Sequence, residues 1–268
     1  MRLSISRAWD DTSGFIARET KLIVPIALAL LFLPGVIAAL AAPMKRGEQP
    51  GGAFLLLLMV QILIALVGQI AIARLALGER EPVGAAIRHA AMRVPALLGS
   101  VLIPMMPIVI VATLLGGAAT VVAKPGAGIS PIVGLLVLLA LVVTMVATII
   151  VGVRCLLNTV IAAAEPGGPV LILKRAFAIT RGHVLRLLGA ALLLGLGGLV
   201  VIVALDSVVG LVVKLAFDKP TPWSLGALLI ALVGAAAQAA FSVVFTVFFA
   251  RAYSQLAAGE PGVPSSAI

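Results

Sequence analysis

Long apolar runs alternate with short stretches that collect nearly all the charge, and this alternation divides the chain into six spans. The runs cover Leu22 to Ala42, Phe54 to Leu77, and about Ala96 to Ala123. They continue with Pro131 to about Val153, trailing on to Ala164, then about Leu187 to Leu205, and about Trp223 to Ala250. Each has close to the ~20 residues that a helix needs to cross a bilayer core. In hydrocarbon these runs must be helical, because an open strand would leave backbone donors and acceptors unpaired. That requirement overrides the strand propensity of their many Val and Ile residues. The fifth run either stops near Leu205 or continues toward Val213, and the choice decides whether Asp206 is interfacial or embedded. Lys214, Asp218 and Lys219 follow soon after and favour the interface.

A basic, half-apolar segment precedes each pair of spans. Ile5, Ala8, Trp9, Thr12, Phe15 and Ile16 fall on one helical face of the first segment. Val83, Ile87, Ala90, Ala91 and Val94 form a stripe opposite Arg88, His89 and Arg93 in the second. The third is blurred, and Thr180-Arg181-Gly182 is placed to break it. Pro82 and Pro169 each stand six residues before an arginine, Arg88 and Arg175, and suit the first turn of a helix. Each of these two segments runs into Leu-Leu-Gly, ending at Gly99 and at Gly189. Each returning span ends in Arg, small apolar residues and Glu: Arg74 to Glu79, Arg154 to Glu165, Arg251 to Glu260. The glutamates are 86 and 95 residues apart, consistent with one duplicated unit carrying loop insertions. The expected architecture is an all-α polytopic membrane helical bundle, with six transmembrane helices in three units of an amphipathic helix plus a hairpin. The units are about 1–79, 80–165 and 166–260 of a single integral membrane domain, and residues 261–268 form a flexible C-terminal tail.

Composition agrees. Of 268 residues, 62% are hydrophobic and 11% charged, against ~45–50% and ~25% in soluble domains. This argues against a soluble enzyme, a secreted disulfide scaffold and a disordered tail. Cys155 is the only cysteine, so neither an intrachain disulfide nor a thiolate metal centre is available. It reads as a small buried helix side chain. The net charge of +9 is an orientation signal and gives no support to nucleic-acid binding. Fourteen of the 19 basic residues fall on the side of the N-terminus, the second-to-third and fourth-to-fifth connections and the C-terminus. Lys45, Arg46, Lys124, Lys214 and Lys219 fall on the other. The positive-inside rule then places both termini in the cytoplasm, as an even span count requires. The first run is expected to remain a span and not a cleaved leader, despite Ala39-Leu40-Ala41. Some twenty residues precede it, with Asp10, Asp11 and Glu19 among them.

One stretch carries a family likeness. Glu165-Pro-Gly-Gly-Pro169-Val-Leu-Ile-Leu-Lys174-Arg175-Ala-Phe-Ala-Ile-Thr180-Arg181-Gly182 resembles a signature of the glycerophosphoryl diester phosphodiesterase membrane domain family and its stand-alone bacterial relatives. An acidic residue and Gly-Pro precede a basic helix that ends in a Thr-Arg-Gly turn. Ser6-Arg7-Ala8-Trp9 before a long apolar run is also similar. The specific letters cover about twenty residues, while the hydropathy likeness covers the chain. Full-length members of that family add a catalytic barrel, which this chain has no room for. The resemblance implies a role near lipid or glycerophosphodiester metabolism in a bacterial inner membrane, and transfers no catalytic residue.

Chemistry is sparse. His89 and His183 are the two histidines, with Glu79, Glu81 and Glu165 as the carboxylates that a metal or acid–base site would need beside them. They read more simply as solvated or headgroup-facing side chains. Gly195, Gly197 and Gly198 lie within an apolar span and suit close helix packing. Gln61 and Gln69 share a face, as do Gly234, Ala235, Gln238 and Ala239, and Pro104 and Pro107 should loosen the third span. The expectation is a non-catalytic inner-membrane protein with no cofactor, no metal and no nucleic acid, whose partners are membrane lipids. A protein partner is left open. Arg88, Arg93, Lys174, Arg175, Arg181 and Arg186 are the candidate contacts to anionic headgroups at the cytoplasmic face. Equally, these segments can be packed connectors whose arginines only set orientation. A small-molecule or ion transporter or channel is the alternative, motivated by the prolines and polar faces.

Overall fold

The computed structural model describes residues 4–42, 51–79, 81–122, 131–217 and 223–257. Among these, every regular element is helical: α1 (Ile5–Ala27), a π turn (Leu28–Phe32), α2 (Leu33–Ala41), α3 (Gly52–Ala76), α4 (Val83–Val122) and α5 (Pro131–Cys155). There follow α6 (Asn158–Ala164), α7 (Pro169–Ile179), α8 (Val184–Ala216) and α9 (Leu225–Ala257). Six helical stretches are long and apolar enough to cross a membrane. Arg2, Lys45, Arg46, Arg80, Lys124, Asp218, Lys219, Glu260 and the expected tail 261–268 lie outside the described residues.

The amphipathic segments join their spans in two different ways. The first and second are continuous with the spans they lead. At ~1.5 Å per residue, the 40 residues of α4 extend about 60 Å, twice the hydrocarbon thickness. The head of α1 is set off by a local break at Glu19 (φ −102°, ψ 19°). Pro25 lies beyond that break, and the π turn sits between Pro25 and Pro34. Prolines remove a ladder donor and crowd the preceding turn, and a widened turn absorbs the mismatch. The third segment, α7, is a separate helix. It stops at Thr180, and Gly182 (φ +81°) takes the left-handed conformation that lets the chain re-enter as α8. The α3 helix ends in the same manner at Gly78 (φ +96°).

Burial is uneven along the helices. The tightest packing gathers at the arginine-rich end: Ile70 to Ala73, Ala86, Ala90, Leu157, Ala162, Ala176, Leu187 and Val247 to Ala250 are nearly inaccessible. Alanine dominates this list. Lipid tails are as apolar as leucine, so helix association relies on close approach of small residues and on internal hydrogen bonds. Toward the other end the α4–α5 hairpin stands largely alone, and Leu135, Leu136, Leu138 and Leu139 remain more than half exposed. A smaller cluster of Val36, Ala231 and Ala235 holds α2 to α9 in that region.

The α8 helix does not stop near Leu205. It continues to Ala216, so Asp206 lies within it, ten residues before its end. The Asp206 Oδ1 is 3.2 Å from where a Cβ on Gly234 of α9 would stand. Asp206 is exposed, and its carboxylate lies over Gly234, which has no side chain to exclude it.

Candidate functional site

The arginine-rich end is built from the heads of α1 and α4, from α7, and from the last turns of α3, α5 and α9. Arg74 closes α3 with a paired ion bridge to Glu81: Nε to Oε2 at 3.1 Å and Nη2 to Oε1 at 2.7 Å. Its Nη1 donates to the Ala163 carbonyl at 3.0 Å and to His89 Nε2 at 3.2 Å. An arginine N–H only donates, so Nε2 accepts and His89 is neutral in this arrangement. The hydrogen bond from Arg74 also holds the Glu81 carboxyl below its ordinary value.

The Glu165-Pro-Gly-Gly-Pro169 loop is held from three directions. Arg93 donates to the carbonyls of Gly167 (3.0 Å) and Glu165 (3.2 Å). The Glu165 Oε1 accepts from Arg175 Nε at 2.9 Å and from the Tyr253 hydroxyl at 2.8 Å. Gly99 lies against Pro169, where a Cβ would stand only 2.8 Å from the proline ring. Sequence spacing singled out Glu165 and Arg175 but missed Tyr253, which arrives from 88 residues away.

Three arginines at the ends of returning spans each reach the amphipathic segment of another unit. Arg74 reaches His89 on the head of α4. The Arg154 guanidinium sits 4.7 Å above the Phe177 ring of α7. Arg251 lies 4.8 Å above Phe15 on the head of α1. Nearby, Ser4 N donates to Gln255 Oε1, fastening α1 to the end of α9.

The six expected headgroup contacts therefore separate. Arg88, Lys174, Arg181 and Arg186 are exposed. Arg93 and Arg175 are partly buried and turned to the 165–167 loop, as the packed-connector reading expects. His89, His183 and Glu165 bond to different partners; His183 Nδ1 lies 3.3 Å from the Arg181 carbonyl. Among the described residues, no group of three His, Cys, Asp or Glu is placed to hold a metal ion. Asn158 is fully buried, donating to Ser100 Oγ at 3.0 Å, which ties α6 to α4.

A groove of about 690 Å³ opens between α8 and α9. Gly197, Val201 and Leu205 line the α8 wall, and Phe241, Phe245 and Phe248 the α9 wall. Gly198 lets Phe241 approach so closely that a Cβ there would collide with the ring. Polar lining is confined to one end, where Ser6 and Asp10 of the α1 head meet the groove beside Trp9. The sequence signal for it was Phe241, Phe245 and Phe248 at helical spacing, facing a glycine-bearing span.

Helices of this length and apolarity, closed by a charged collar at one end, define an all-α, multi-pass integral membrane protein. The chain belongs to the family described as Domain of unknown function (DUF7847), which it matches over residues 3–256. No curated protein and no solved structure matches it.

Proposed function

We propose that this protein is a non-catalytic, lipid-interacting bundle of a bacterial inner membrane, with its arginine-rich end in the cytoplasm. The observation that carries this reading is the division of labour within the collar. Arg74, Arg93 and Arg175 are directed to Glu81, the Ala163 carbonyl and the 165–167 loop. Arg88, Lys174, Arg181 and Arg186 stay exposed on the α4 head, on α7, in the turn after it and in the first turn of α8. Arg7 and Arg18 are likewise exposed on α1. Charges so placed at the headgroup level attract anionic lipid by about 1 kcal/mol each. The three-unit organisation is supported by the arginines that end α3, α5 and α9, each engaged with an amphipathic segment of a different unit. Kinship with the glycerophosphoryl diester phosphodiesterase membrane domain family is part of this proposal and rests on the stretch from Glu165 to Gly182.

The test uses the purified full chain in nanodiscs of mixed phosphatidylglycerol and phosphatidylcholine, with bound lipid read by native mass spectrometry. Arg88→Gln, Lys174→Gln, Arg181→Gln and Arg186→Gln combined should reduce phosphatidylglycerol enrichment. Arg93→Gln should instead lower thermal stability. Enrichment that survives the fourfold substitution would overturn the reading.

A further inference from the structure

Resting on that lipid-interacting reading, we infer that the groove between α8 and α9 is a discrete binding site for one acyl chain of a glycerophospholipid with an amino headgroup. Its walls belong to two membrane-crossing helices, so it opens onto hydrocarbon. From Ala190 to Leu205 the α8 wall rises through fifteen residue steps, about 22 Å. Half of a hydrocarbon core is about 15 Å, so a chain from a lipid of the collar-side leaflet fits along the groove without reaching its far end. The volume is of the size that holds one small ligand. Phe241 pressed on Gly198 narrows the groove and distinguishes it from the open flank of α5.

The mouth carries the headgroup argument. Arg186, one turn before Ala190 on α8, is exposed against the 182–185 turn and lies outside the groove lining. Asp10 and Ser6 face the mouth from α1. The Asp10 carboxylate at the mouth suits an ammonium. A purely anionic headgroup would bring its negative charge against Asp10. The complementary ligand therefore presents an ammonium to Asp10, as phosphatidylethanolamine does.

Trp9 borders this mouth, and the only other tryptophan is Trp223. In a Trp223→Phe background, Trp9 emission reports bromine placed near the carbonyl end of an acyl chain. Brominated phosphatidylethanolamine should quench Trp9 at mole fractions about tenfold lower than brominated phosphatidylglycerol does. Asp10→Asn should remove that preference. Gly197 lines the groove with open space around it, so Gly197→Phe fills the site and should leave only quenching proportional to bulk lipid. Gly195 is equally open but does not line the groove, so Gly195→Phe should behave as the parent and controls for folding. Unchanged quenching in Gly197→Phe would overturn the site, and equal quenching by the two lipids would overturn the headgroup assignment. Neither result touches the anionic-lipid enrichment, whose own failure is read from the four collar substitutions.

Discussion

Glu81 and Glu165 show how a sparse set of charges is used at the level of single side chains. Each is bound by an arginine, one from α3 and one from α7, and each fixes a connector that would otherwise hang from the bundle. The Arg-then-Glu pattern was visible in the sequence as spacing. The partners were not, because helix rotation and loop path decide which arginine meets which carboxylate. Arg74 passes Glu79 and pairs with Glu81, and Tyr253 joins Glu165 from the last helix. A consequence can be measured for Glu81. Its carboxyl titrates below the ordinary value because Arg74 donates to it, so the charged form is favoured by folding. Its stabilising contribution is present above the ordinary carboxylate range and is lost as pH falls through the lowered value. Thermal unfolding in detergent should show an acid-side decline in the parent that Glu81→Gln lessens; an identical decline in both would exclude the pair as its source.

The two ways of joining an amphipathic segment to its span distinguish the elements themselves. Pro104 and Pro107 were expected to loosen the third span, yet α4 is one continuous helix that also takes in Pro95. Hydrocarbon removes water as an alternative partner, so the helix persists through all three prolines. The break after α7 was legible as Thr180-Arg181-Gly182, because glycine just past a helix end permits a left-handed residue. The repeated Leu-Leu-Gly was only half informative. Leu97 and Leu187 are both buried, yet Gly99 meets Pro169 while Gly189 faces open space. Gly182→Ala should cost about 1–2 kcal/mol from the left-handed backbone alone. Gly189→Ala should be nearly neutral or slightly stabilising, and the two variants are compared by thermal unfolding. Equal stability would mean that the turn relaxes without strain.

At the scale of the whole molecule, six spans and the all-α class followed from hydropathy, since in lipid the backbone has few ways to satisfy itself. The lateral groove did not, because it depends on how α8 and α9 rotate against each other beneath α1. Sidedness is open to direct measurement. Reporter fusions at Gly51, Gly126 and Lys219 should read outside, and those at Gly84, Gly167 and Ser266 cytoplasm. A single reversal would break the six-span topology. The contact of Arg251 with Phe15, reinforced by Gln255 with Ser4, joins the beginning of the chain to its last helix. During synthesis the first helix head therefore emerges long before its mate exists. That contact has no second half while the intervening spans are made, and only the arrival of α9 closes the ring.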